Sequence, residues 1–339
     1  MGLEALRSRH WFKLICGASY QHLPAIRHLA LIYTLAGADC IDMAPDPATI
    51  AAAREGIAAA LKLNPQIAAP LVMVSFNDGE DPHFRKAFFD PQLCPADCQR
   101  PCEKVCPTTA IKFGNDYNGI MPSLCYGCGR CLPLCPVQII HTREQVYQPE
   151  DIFELVTNQS QSSQSQSSQS IDAIEIHTQP HRTQEFAAFW RRLSAIVPQV
   201  KLMAVSFPDC ENLHEYLLSL LAVMQPMPRS LIWQTDGRPM SGDIGDGTTR
   251  AALKLGQKVL GFDLPLGFVQ VAGGTNASTV AKLKQAKIPV SGIAYGSYAR
   301  KIITDFLDAQ PIPDRLEDCP ELLWQAVAIA KQLVSQIKN

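Results

Sequence analysis

The chain has 339 residues and a formal net charge of -2, with 47% hydrophobic and 18% charged side chains, enough apolar material for a large core and a smaller second unit. Its Lys and Arg residues are scattered rather than gathered into a stripe, which excludes the phosphate-neutralising surface of a nucleic-acid binder. No stretch approaches the roughly 20 apolar residues of a membrane span and no secretory core opens the chain, so its 12 cysteines are expected in a reducing cytoplasm, in metal or thiol chemistry rather than disulfides.

Short runs rich in Val, Ile and Ala recur along the chain, most followed by a longer segment of helical periodicity, the pattern of repeated βα units. Eight strands are expected: Phe12 to Cys16, Cys40 to Met43, Leu71 to Phe76, Ala173 to His177, Leu202 to Phe207, Ser230 to Gln234, Phe268 to Ala272 and Val290 to Ala294. Their near-continuous apolarity suits strands buried on both faces of a parallel sheet. Helices are expected from Leu23, Thr49, Thr183, Asn212, Thr248, Ala277 and Tyr298, with a last amphipathic one over Pro320 to Ile337.

The third unit breaks the pattern. After Phe76 the chain enters a stretch rich in Cys and Pro and turns helical again only over Pro149 to Val156. Residues 80–147 therefore read as a domain inserted in the third βα loop, between a first barrel part, 1–79, and a second, 148–339. Without the insert the length matches the roughly 250 residues of a TIM-type (β/α)8 barrel, and a doubly wound open sheet is the alternative. The Gln/Ser tract of residues 159–170 cannot bury enough apolar surface to offset its ordering entropy and reads as a disordered loop on the face away from the strand C-termini.

Two cysteine quartets lie in the insert. Cys125, Cys128, Cys131 and Cys135, followed by Pro136, match the bacterial ferredoxin run in every spacing; Cys94, Cys98, Cys102 and Cys106, followed by Pro107, widen each early gap to three residues. The segments CPTTAI and CPVQII both place Ile five residues after the fourth Cys, at Ile111 and Ile140, so the insert reads as a pseudo-two-fold unit holding two 4Fe-4S clusters. In such a unit the fourth Cys of each run serves the other cluster, which gives the sets Cys94, Cys98, Cys102, Cys135 and Cys106, Cys125, Cys128, Cys131. Gly127 and Gly129 let backbone amides approach the sulfurs. Two structural zinc sites are the competing account, although zinc favours separated C-x2-C knuckles over a triple run ending in Cys-Pro. Cys16, Cys40, Cys210 and Cys319 have no metal spacing, and the first two read as core residues.

At the barrel mouth, Gly273 and Gly274 after the seventh strand and Gly296 and Ser297 after the eighth stand where barrels bind phosphate through backbone amides, so a flavin or another phosphate-bearing ligand is a candidate there; tight turns explain the same glycines. The long sixth loop offers Asp236, Arg238, Ser241, Asp243, Asp246, Thr248 and Arg250 as a lid or as a solvated surface, and Asp42 and His177 at strand ends point toward the same pocket. No dinucleotide fingerprint, Walker loop or hydrolase elbow is present. No catalytic residue is assigned. Electron exchange with a donor or acceptor is the activity the residues support, either as redox sensing or as an oxidoreductase feeding a substrate at the mouth.

The segments CPADCQRPCEKVCPTTAI, LCYGCGRCLPLCPVQII, DGRPMSGDIGDGTTRAA and VQVAGGTNAS together resemble the cyanobacterial light-dependent period protein A family over nearly the whole chain. That resemblance implies an iron-sulfur protein conveying cellular redox state to the circadian clock, with clock and input-kinase proteins as partners. Residue by residue it carries over only the eight cysteines.

Overall fold

The computed structural model describes residues 3–17, 23–79, 85–114, 117–144, 146–153, 156, 171–238, 247–308 and 313–338. Eight parallel strands close on themselves: β1 (Trp11–Ile15), β2 (Cys40–Met43), β3 (Leu71–Asn77), β8 (Ala173–His177), β9 (Leu202–Phe207), β10 (Leu231–Asp236), β11 (Phe268–Ala272) and β12 (Gly292–Tyr295). Pairing of β1 with β12, Trp11 against Gly292, seals the ring, which excludes the open sheet. Between β3 and β8 lie two small antiparallel pairs, β4 (Arg85–Phe88) with β7 (His141–Glu144) and β5 (Ile111–Phe113) with β6 (Asn118–Ile120).

The near-continuous apolarity of the strands hides a period of two that closure makes visible. One face of each strand, including Phe12 and Leu14, Val72 and Val74, and Val269 and Val271, packs outward against the helices in one continuous core. These helices are α2 (Leu23–Ala36), α3 (Pro47–Leu63), α5 (Thr183–Leu193), α6 (Leu213–Val223), α7 (Thr249–Leu260), α8 (Thr279–Ala286), α9 (Ser297–Asp308) and the closing α10 (Pro320–Lys338). The other face points into the barrel. Its floor is apolar: Trp11, Cys40, Leu71, Met73, Leu202 and Ile232 pack with Leu6 from a four-residue helix, α1 (Glu4–Arg7), which plugs the N-terminal end.

Most boundaries fall within two residues of the expected ones. The exceptions have local reasons. α1 is too short to show a period, and β10 runs on to Asp236 because Thr235 and Asp236 keep pairing with Val271 and Ala272. Where a helix is expected from Pro149, the chain makes a 3-10 turn over Pro149–Ile152. Tyr147, Ile152 and Val156 already pack in the main barrel core, so the chain is back on the barrel by Tyr147. The Gln/Ser tract, 159–170, lies outside the described residues.

The insert is fastened to the C-terminal mouth at its two ends. Asp46 caps α3, accepting from Ala48 N at 2.9 Å and Thr49 N at 3.4 Å, with Pro47 suited to the first turn. The same buried carboxylate receives the Tyr147 hydroxyl and lies 3.5 Å from Lys86 Nζ of β4, so a barrel loop and both ends of the insert meet at one residue.

Candidate functional site

The local repeat read from the two Cys-Pro segments is present in the backbone. Thr109 N–H donates to Cys106 O at 3.2 Å and Gln138 N–H to Cys135 O at 3.1 Å, and Thr109 and Gln138, three residues after their cysteines, both adopt left-handed φ, 52° and 55°. Each turn delivers its isoleucine, Ile111 or Ile140, to one small buried core. A short helix, α4 (Pro101–Val105), carries Cys102 inward; Cys102, Cys131 and Cys135 are buried, and the other five cysteines of the quartets are half-buried.

Within this core the thiols sort by space, not by run. A pocket is lined by Cys106 of the first run and Cys125, Cys128 and Cys131 of the second. Cys131 is pushed up to about 12, by burial and then by its thiol neighbours Cys125, Cys128 and Cys106. On the other side, Cys94 has Cys98 and Cys135 as thiol neighbours, and Cys102 has Cys135 and Cys94. Among the described residues no three His, Cys, Asp or Glu side chains converge as a single ion requires, whereas one zinc would draw four sulfurs to about 2.3 Å from one point. Thiols standing around a void fit a cuboidal cluster, and backbone amides complete the fit. Ala110 N–H donates to Cys106 Sγ at 3.2 Å, and the backbone at Gly127 and Ala87 favours the thiolate of Cys125 against the effect of burial. Gly127 is required by its φ of 82° and because a Cβ there would stand 2.3 Å from Arg85 O.

The Cys106, Cys125, Cys128 and Cys131 set faces the barrel. Buried Tyr126 lies beside Cys128 and against Leu23, where α2 begins, and the Lys86 ammonium that reaches Asp46 is also a charged neighbour of Cys125. Between the mouth and the insert lies a small cleft with Ser75, Asn77 and Tyr147 on its walls.

Family models match both parts: one described as Light dependent period A C-terminal domain over residues 166–336, and one described as LdpA Fe-S cluster-binding domain over residues 94–146. Light dependent period A of Synechococcus elongatus is 48% identical over 99% of this chain and 94% of its own length. The chain belongs to the light-dependent period A family. Its cysteine segment is also 44% identical to a ferredoxin of Alicyclobacillus acidocaldarius over 55 residues, 16% of this chain and 68% of the ferredoxin, and this light-dependent period A relative is an iron-sulfur protein. A solved structure named as a fructose-1,6-biphosphate aldolase from Coccidioides immitis superposes with a TM-score of 0.52 over 99% of this chain and 94% of that one, at 9% identity, which speaks for the barrel alone.

The other expected positions in this family member divide. Gly273 and Gly274 have φ of 66° and 92°, and a Cβ on them would meet Arg238 O and Thr248 O, each at 2.6 Å, so close approach of two loops accounts for both glycines. Gly296 precedes and Ser297 begins α9, where half-buried Arg300 donates to Ile15 O at 2.9 Å and to Ser297 Oγ at 3.2 Å. Of the sixth loop, Thr248 is buried and donates to Gly274 O, Arg250 is exposed, Arg238 lies against Gly273, and Ser241, Asp243 and Asp246 lie outside the described residues. Cys16 and Cys40 are buried core residues, and Cys210 and Cys319 are half-buried against the core. Among the described residues no helix is long and apolar enough to cross a membrane.

Asp42, His177 and Asp236 do enter the barrel, and there they meet two groups that sequence reading passed over. Lys13 of β1 and Glu175 of β8, both fully buried, form an ion pair, and Asp42 Oδ2 lies 3.2 Å from the same ammonium. Burial works against the charge on Lys13, but Asp42 and Glu175 outweigh it and hold the ammonium above its ordinary value. Ser75 donates to Asp42, His177 Nδ1 lies 2.9 Å from Ser206 Oγ, and Ser206 donates to Asp236. The signal was a polar residue at an inward mid-strand position, Lys in WFKLI and Glu in AIEIH.

Burial pushes Asp236 up to about 6, against the opposing pull of His177 and Ser206. A carboxyl raised in the fold is penalised once it ionises, so this group takes stability away as pH rises from about 4 to about 6. Asp236→Asn is expected to match the parent near pH 4 and to exceed it above pH 6.5 in thermal midpoint; equal pH profiles would show that Asp236 ionises normally.

Proposed function

We propose that this protein is a redox sensor in which two 4Fe-4S clusters exchange single electrons and convey cellular redox state to the circadian clock, through contacts with clock and input-kinase proteins in the cytoplasm. The supporting observation is the sorting of eight thiols into two mixed sets: Cys106 with Cys125, Cys128 and Cys131 around one cavity, and Cys94, Cys98 and Cys102 with Cys135. The insert, residues 80–147, is then the electron-carrying unit, and the barrel, residues 1–79 and 148–339, its platform. A cluster in either set would supply one-electron chemistry. The chain's own part is to hold the thiolates, donate amide hydrogen bonds to the sulfurs and place charge beside them. Because Asp46, Lys86 and Tyr147 join the insert to the mouth, a change of charge at Cys125 is felt at a barrel loop, which is the physical route for signalling. An anaerobic EPR titration with iron and sulfide analysis tests this reading; zinc or no metal in an oxygen-free preparation refutes it.

The proximity of the mouth to the insert favours one rival, an oxidoreductase passing electrons to a flavin or small substrate in the barrel. Stoichiometric release of flavin from the purified protein would mark that activity. Either way, Lys86 is expected to tune one centre. Lys86→Gln removes a buried positive charge beside Cys125 and so should lower that centre's potential by roughly 50–100 mV, the effect of a unit charge at about 10 Å in an effective dielectric near 20. An unchanged potential at both centres would place Lys86 outside their field.

A further inference from the structure

The polar interior of the barrel is unbalanced in two ways. Among the described residues it holds one obligate cation, Lys13, against three carboxylates, Asp42, Glu175 and Asp236; Lys13 is committed to two of them, below the mouth, and His177 Nε2 lies 3.6 Å from Glu175 Oε1. It also holds an acceptor without a donor. Gln234 Nε2 donates to Glu175 Oε1 at 2.7 Å, which fixes the orientation of its amide, because a carboxylate oxygen only accepts. Gln234 Oε1 therefore accepts from Gln270 Nε2 at 2.6 Å, which fixes the second amide in turn. Gln270 Oε1 is left in a fully buried side chain with no partner. Flipping either amide would set oxygen against oxygen, so the orphan is dictated by the chain of donors.

Gln270 lies one layer above the apolar floor, and the next inward residues toward the mouth on its own strand and on β12, Ala272 and Ala294, are small. On its other side stands Asp236, partly accessible, whose Oδ1 has only a long 3.4 Å contact from Gln234 Nε2. Two under-used acceptors thus flank the Gln234 amide, one of them carrying negative charge and reachable from the mouth. A buried orphan acceptor and an under-compensated carboxylate both carry a desolvation cost, so a group that donates and is positive would satisfy the two together. An anion would meet acceptors, and among the described residues no three ligating side chains converge for a metal ion.

We propose that the barrel mouth binds a small organic cation of the primary-ammonium class, its N–H groups shared between Gln270 Oε1 and the Asp236 carboxylate. The site is independent of the cluster reading, since none of its residues touches the cysteine quartets.

The test uses the full chain, purified anaerobically with its iron, and methylammonium chloride as the probe. Sodium chloride and tetramethylammonium chloride at equal ionic strength are the controls; the latter carries charge without N–H donors. The expected result is a thermal midpoint that rises and saturates with methylammonium alone. In Asp236→Asn the apparent affinity should fall at least about tenfold, the loss of one charge-assisted hydrogen bond. Gln270→Met should abolish the response; should it fail to fold, Asp236→Asn carries the test. Three outcomes overturn the proposal: no saturable rise in the parent, an equal rise in all three salts, or variants that respond as the parent does. Iron content and the EPR spectrum, followed in parallel, are expected to stay constant throughout, which separates failure of this site from failure of the clusters.

Discussion

Replacing Cys135 with Ser is expected to abolish the centre built mainly by the first cysteine run, not the one built by its own run. Cys135 follows Cys131 by four residues, yet its thiol neighbours are Cys94 and Cys102, while the cavity around Cys131 is completed by Cys106. The variants Cys135→Ser and Cys102→Ser should therefore leave one and the same surviving EPR signal. Cys106→Ser and Cys131→Ser should leave the other, each of the four retaining about half the iron and sulfide of the parent. Serine keeps the shape and removes the soft thiolate, so loss of metal and not loss of fold is what is measured. If Cys135→Ser instead shares its surviving signal with Cys131→Ser, each run serves its own centre and the crossed assignment falls. Four variants that all keep full metal would remove the iron reading altogether.

The quartets stand out in the sequence because their signal is local, four cysteines within about a dozen residues followed by Pro in each run. The repeat that suggests the proposed crossing, CPTTAI and CPVQII, is local as well and reappears as matched left-handed residues at Thr109 and Gln138. The barrel was legible as eight βα units, although closure itself is a long-range fact resting on β1 meeting β12. What escaped depends on closure. Lys13 and Glu175 stand 162 positions apart, and each looked like a blemish in an apolar strand until the ring brought them together. Asp42 and His177 stand near strand ends, where a polar residue signals a site, whereas a polar residue in mid-strand is masked by its apolar neighbours. The glycines at 273 and 274 show the reverse hazard. Their sequence suits an anion loop, and the backbone of Arg238 and Thr248 occupies the space that a Cβ would fill.

The interior triad gives the largest expected effect on stability. Lys13→Met leaves Glu175 and Asp42 buried without their cation, and breaking a buried pair from one side costs about 3–5 kcal/mol. Glu175 titrates below its ordinary value, because Lys13 and then His177 outweigh the effect of burial, so its stabilising contribution is present above pH 4.5 and is lost as pH falls through the lowered value. Lys13 titrates above 10.5, so its contribution is complete below that pH and fades only in strong alkali. Burial already holds Asp42 above its ordinary value with Lys13 in place, so the cost of Lys13→Met should be largest in mild alkali and shrink steadily as pH falls, where the stranded carboxylates take up protons. Denaturant midpoints across pH measure this directly. The companion variant Lys13→Met with Glu175→Leu should recover most of the loss, because the penalty arises from an uncompensated charge and an apolar pair of similar volume removes it. A cost under about 1 kcal/mol for Lys13→Met would mean that water reaches the triad, and the dry polar interior on which the ammonium site depends would go with it.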